Sequence, residues 1–126
     1  LGYAPGIVPD QEESFFKADP GLIVLADQAG SAEGLKTHMG RIASGDLFVS
    51  EEGQRQRIHD TFHALCAEME GAAIAQACWR NRVPFVILRS ISDNADGNAG
   101  VSYAEFSKKA AGQAVRLLSR MLKTWS

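Results

Sequence analysis

The chain of 126 residues is 45% apolar and 22% charged, with a formal net charge of −2. That is the composition of one ordinary globular domain or a piece of one, and it supplies no basic footprint for nucleic acid. No apolar run approaches the roughly 20 residues that span a bilayer, and no signal peptide opens the chain. Cys66 and Cys78 sit in apolar contexts and read as buried thiols of a reducing compartment, so the cytoplasm is the expected location.

Residues 1–18 read as an irregular arm, in which glycines, prolines and the Asp10-Gln11-Glu12-Glu13 run punctuate isolated aromatics. A small domain seldom starts with such an arm unless the arm packs onto something. Asp19-Pro20 is an N-cap followed by proline at the first helical position and predicts a helix through about Ala29, with Gly30 and Gly34 breaking the pattern. His38–Ser44 reads as a strand, and residues 51–62 as a polar, exposed helix. Ala64–Glu68 reads as a short buried strand, and Gly71–Arg82 as an alanine-lined helix able to pack closely on a sheet. Pro84 opens a further strand, Phe85–Ile91, whose continuous apolar run suits cover on both faces. From Ser102 to about Trp125 a helix carries Phe106, Ala110, Ala114, Leu117, Leu118, Met121, Leu122 and Trp125 on one stripe. Its cations Lys108, Lys109, Arg116 and Arg120 fall elsewhere. Strand and helix alternate, which implies an α/β fold with a largely parallel sheet. Three strands and four helices cover such a sheet poorly, so exposed apolar surface, low stability or self-association is expected.

Two carboxylates stand out, since both lie in apolar sequence where a charge needs a partner or a task. Asp93 follows the strand Phe85–Ile91, about where an open α/β sheet presents catalytic groups. A carboxyl there with a raised pKa can donate a proton near neutrality. The plainer alternative is an Asx-turn or helix cap within Ser92-Asp93-Asn94-Ala95-Asp96-Gly97, and Asp96 is more readily structural still. Glu70 is placed to accept hydrogen bonds from a vicinal diol, or simply to answer the positive end of the helix that follows it. Glu68 suits pairing with a cation, and Arg89 is the evident candidate. His59 and His63 have the i, i+4 spacing of metal ligands but lack a third ligand nearby, so solvated histidines are the simpler reading and no metal is assigned. Gly40–Asp46 contains glycine but is no phosphate-binding fingerprint.

Glu68-Met69-Glu70 with its alanine-rich helix, then Pro84-Phe85-Val86 through Arg89-Ser90-Ile91-Ser92-Asp93-Asn94-Ala95-Asp96, resembles the 5′-methylthioadenosine/S-adenosylhomocysteine nucleosidases of the nucleoside phosphorylase superfamily. Ala43–Val49, Ser102–Phe106, Leu1-Gly2-Tyr3 and Phe16–Asp19 extend the similarity over nearly the whole chain. The resemblance implies part of a three-layer α/β sandwich, a mixed but mostly parallel sheet flanked by helices, with residues 1–126 as the C-terminal portion of a single domain. It implies hydrolysis of the N-glycosidic bond of an adenosine nucleoside, with no cofactor. Asp93 would protonate purine N7 and Ser92 would position it; Glu70 would bind the ribose hydroxyls, with Glu68 beside it and Met69 beneath the sugar. Phe48 would stack on the base, the Val49 backbone would read its edge, and Arg89 would lie near Glu70. Tyr103 stands where the family commonly has phenylalanine, so its hydroxyl changes the polarity expected of the 5′-alkylthio pocket.

Family members draw their water-orienting glutamate and a glycine-rich sugar loop from a portion preceding the one matched here. The expected partners are therefore a small adenosine nucleoside and a polypeptide supplying that portion, in a homodimeric assembly, with neither nucleic acid nor membrane. Purine nucleoside phosphorylase, which shares these signatures but uses phosphate, and a non-catalytic nucleoside-binding fragment are the alternatives.

Overall fold

The computed structural model describes residues 2–11, 14–91 and 103–125. Six elements follow in order: α1 (Pro20–Ala32), β1 (Arg41–Ser44), α2 (Glu52–Phe62), β2 (Ala64–Glu68), α3 (Gly71–Arg80) and α4 (Tyr103–Thr124). They fall into two compact units, one of Leu1–Ala18 with Gly40–Ile87, the other of Asp19–Met39 with Leu88–Ser126. No helix among the described residues is long and apolar enough to cross a membrane.

The first unit is built on a β-α-β crossover. β1 and β2 pair in parallel, with Ile42 opposite Cys66, Ala43 opposite Ala67 and Ser44 opposite Glu68. α2 connects them, and α3 packs against β1. Parallel strands need such a crossover, since a tight hairpin can join only antiparallel ones. α2 buries none of its residues, as its polar sequence requires. α3 turns Gly71 and Ala75 inward, one helical turn apart, so a small-residue line lets the helix approach closely. The N-terminal arm forms no helix or strand among its described residues, yet it packs. The Arg41 guanidinium lies 4.3 Å from the centre of the Phe15 ring, and Phe16 meets Trp79 at 5.7 Å.

Several expectations need correction here. The strand expected from His38 begins only at Arg41, because its partner strand begins at Ala64, directly after His63 in a left-handed conformation (φ 51°). β2 is not buried throughout: only Ala64 is, while Leu65 points outward. The alanine helix stops at Arg80, where Arg82 (φ 56°) and Val83 donate back to the carbonyls of Trp79 and Cys78 and close a Schellman turn. Phe85–Ile91 forms no strand, since an apolar run becomes a strand only beside a ladder partner, and β1 and β2 pair only with each other among the described residues. Cys66 and Cys78 are half-buried rather than fully buried.

The second unit packs α1 against α4. Asp19 Oδ1 accepts from the Leu22 amide at 2.9 Å and Pro20 opens the helix, as the sequence predicts. The helix does not stop near Ala29, however, and runs on through Gly30. A Cβ at Gly30 would stand 2.5 Å from Thr37 Cγ2 and 3.7 Å from Leu117 Cδ1, so glycine is used there for close approach. Termination falls to Gly34 (φ +67°), with its amide bonded to Ser31 O and that of Leu35 to Gly30 O. Nothing lies within 4 Å of a Cβ at Gly34, which leaves backbone conformation as the only obstacle to a side chain. Gly34→Ala should therefore destabilise this unit by about 1 kcal/mol, with Gly34→Asn milder. Urea melts followed by circular dichroism, with equal midpoints for glycine and alanine, would contradict this.

On α4 the expected stripe divides. Phe106, Ala110 and Leu117 are half-covered and Met121 is buried, whereas Ala114, Leu118, Leu122 and Trp125 stay exposed. Off that stripe, Arg116 and Arg120 both reach Glu33 beyond the end of α1, at 3.6 and 2.8 Å. The apolar surface expected from the sequence is present in each unit, from Leu65 and Ile74 in the first to Val115 and Leu122 in the second.

Candidate active site

β1 and β2 end side by side, and open α/β sheets bind ligands outside the carboxyl ends of their strands. Two of the expected groups leave from this edge. Phe48 and Val49 follow β1, and Met69 and Glu70 follow β2. Phe48 is 76% exposed and Met69 46%, so apolar side chains stand open at the end of the sheet.

Glu70 occupies the N-cap position of α3, but its side chain makes no capping bond. Glu68 does that work. Its Oε2 accepts from the Glu70 amide at 3.1 Å, and its two oxygens accept from the Gly71 amide at 2.9 and 2.8 Å. The positive end of the helix is thus answered by the carboxylate two residues earlier in the chain. Ser44 Oγ donates to Glu68 Oε1 and accepts from the Ala72 amide at 2.8 Å. The Gly45 amide completes the junction by donating to the Glu68 carbonyl at 3.1 Å. Ser44 and Gly71 are the residues that sequence reasoning missed. The available signal was a hydroxyl at a strand's last position before glycine, and a small residue directly after Glu70.

Arg89 is exposed and belongs to the second unit, as does Tyr103, the first residue of α4. Ser92, Asp93 and Asp96 lie outside the described residues. His59 and His63 do not share a helical face, because His63 sits at the left-handed C-cap of α2. His59 Nδ1 instead lies 3.3 Å from Asp60 Oδ1; that hydrogen bond, with one from Gln56, holds the Asp60 carboxyl below the usual range. Among the described residues no three histidine, cysteine or acidic side chains are grouped to hold a metal.

The chain is 42% identical over 125 residues to 5′-methylthioadenosine/S-adenosylhomocysteine nucleosidase of Staphylococcus saprophyticus, covering 98% of this chain and 54% of that protein. The enzyme of the same name from Halalkalibacterium halodurans is 42% identical over 119 residues, which cover 94% of this chain and 51% of that one. Among solved structures, the Campylobacter jejuni nucleosidase of this name superposes with a TM-score of 0.89 at 34% identity, over 98% of this chain and 53% of its own. Futalosine hydrolase of Helicobacter pylori superposes with a TM-score of 0.81 at 34% identity, over 94% and 51%. The chain spans about half the length of the curated relatives it matches. Residues 2–124 match the phosphorylase superfamily, and with that match, the parallel β-α-β core and the shared fold, the chain belongs to the phosphorylase superfamily.

Proposed function

We propose that this chain carries the purine- and ribose-binding portion of a nucleosidase domain that hydrolyses 5′-methylthioadenosine, S-adenosylhomocysteine or a closely related adenosine nucleoside. The observation that carries the reading is the strand-end arrangement of Phe48, Val49, Met69 and Glu70. A stacking ring follows one parallel strand and a carboxylate the next. The names of the relatives at 42% identity support the same substrate class.

In that reading the bond between C1′ and N9 breaks while the oxygen of water bonds to C1′. Positive charge develops on the ribose and negative charge on the departing base. Asp93 protonates adenine at N7, Ser92 orients Asp93, Glu70 holds the ribose hydroxyls, and Arg89 is assigned to the sugar. These groups meet both charges where they develop. Phe48 stacks on adenine, the Val49 backbone reads its edge, Met69 supports the sugar, and Tyr103 lines the 5′ pocket. Water activation falls to a second polypeptide segment, and the working form is a homodimer in the cytoplasm.

The test is adenine release from 5′-methylthioadenosine. It is measured for the 126-residue chain alone and with a polypeptide corresponding to the portion of a relative that this chain does not match. Release on complementation, independent of phosphate and yielding free methylthioribose, is expected. A strict phosphate requirement, with a sugar 1-phosphate as product, would assign a phosphorylase instead. Nucleoside binding without release in either arrangement would leave a binding module.

A further inference from the structure

We infer that Ser44 and Glu68 form a positioning pair that ties the ribose carboxylate Glu70 to the strand leading to the purine loop. The inference rests on the nucleosidase reading for its functional consequence, but the pair itself is visible in the packing. Ser44 is the last residue of β1 and Glu68 the last of β2, and the two are register partners. Four residues past Ser44 comes Phe48; two past Glu68 comes Glu70. Between them runs a short chain of bonds. The Glu70 and Gly71 amides donate to Glu68, Ser44 donates to Glu68, and the Ala72 amide donates to Ser44.

The backbone of Glu70 gains its place from this arrangement. With Glu68 serving as the cap of α3, the Glu70 side chain is not drawn back onto the helix amides. Its backbone is held through its own amide and the next two, and each of the three ends on the Ser44–Glu68 pair. Hydrogen bonds to a charged acceptor are the stronger kind, and linked bonds reinforce one another. Glycine at 71 belongs to the same device. A Cβ there would stand 2.9 Å from Glu68 Oε1 and 3.2 Å from its Cδ, so alanine would push the carboxylate out of its seat.

Ser44→Ala removes one donor and one acceptor, Ser44→Thr restores the hydroxyl, and Gly71→Ala displaces Glu68 without deleting a polar group. Helix propensity alone favours alanine over glycine at position 71, so a merely structural view and the positioning view predict opposite signs for that variant. Amide hydrogen exchange on the 126-residue chain is the first readout. Protection at Glu70, Gly71 and Ala72 should fall about tenfold or more in Ser44→Ala and Gly71→Ala, hold in Ser44→Thr, and stay unchanged at Ile42 and Cys66. Unchanged protection at the three amides in both variants would overturn the pairing.

The second readout uses the adenine-releasing form. Ser44→Ala should lower kcat/KM for 5′-methylthioadenosine about tenfold, with the 2′-deoxy analogue much less affected. The loss should disappear in a Glu70→Gln background, because a residue acting through another adds nothing once that other is disabled. An equal loss in both backgrounds would reduce the pair to a structural cap and overturn the positioning role. If no form of the protein binds or cleaves the nucleoside, the nucleosidase reading fails, and the exchange experiment alone then decides whether the pair holds the Glu70 backbone.

Discussion

Asp93→Asn should lower kcat for adenine release by at least roughly 10²-fold while leaving nucleoside affinity nearly intact, measured in the complemented, adenine-releasing form. The expected loss follows from the leaving group. Adenine departing as an anion is far poorer than adenine protonated at N7, and a positioned carboxylic acid supplies that proton as the bond to C1′ stretches. Asparagine keeps the size of the side chain and a donor N–H, so it can still hydrogen-bond to N7 in the ground state. It cannot transfer a proton. An effect confined to kcat is the signature of an interaction realised only in the transition state, at about 2.7 kcal/mol for two powers of ten. A variant that turns over at near the parental rate would remove Asp93 from the mechanism. One that loses affinity in parallel would make it a binding residue.

The two proposed site carboxylates were both singled out in sequence, but Asp93 lies outside the described residues and the fold bears only on the surroundings of Glu70. Glu70 precedes a local helix signal and follows a local strand signal, and both elements form as expected at Gly71 and Ala64–Glu68. The long amphipathic period of α4 is equally local, and that helix forms from Tyr103 to Thr124. What sequence could not supply was the partner of each element. Phe85–Ile91 has the composition of a covered strand, yet composition says nothing about which neighbour completes the ladder. Gly30 reads as a helix breaker because its propensity cost of about 1 kcal/mol is local. The contact that offsets it, with Thr37 packed where a side chain would stand, is not.

Glu68 shows the same limit at the site. Its neighbours in sequence suggest a charge in want of a partner, and one such partner is a hydroxyl 24 residues away on the adjoining strand. Parallel register, fixed by the α2 crossover, brings Ser44 beside it. Capping of α3 falls to Glu68 rather than to Glu70, whose side chain makes no capping bond. The bond that the Gly71 amide donates to Glu68, three residues back, is as short-range as any cap, and only the Ser44 contact depends on the tertiary fold.

Glu70→Gln should weaken both binding and turnover of 5′-methylthioadenosine, lowering kcat/KM on the order of 10²-fold. A carboxylate accepts from two adjacent hydroxyls at once, and hydrogen bonds to a charged group contribute about 1.5–3 kcal/mol each. The amide replaces one acceptor with a donor and removes the charge that opposes oxocarbenium character at C1′, so ground state and transition state both lose. Substrate truncation should mirror the substitution. The 2′-deoxy nucleoside should lose most of its rate with the parent protein and little more with Glu70→Gln, because the missing hydroxyl and the missing acceptor belong to one interaction. Steady-state kinetics over the four combinations reads that coupling directly. Ribo and 2′-deoxy substrates handled equally by the parent would show that Glu70 does not grip the diol. The carboxylate would then be left with the helix end it precedes, a role that Glu68 already fills by accepting from the Glu70 and Gly71 amides.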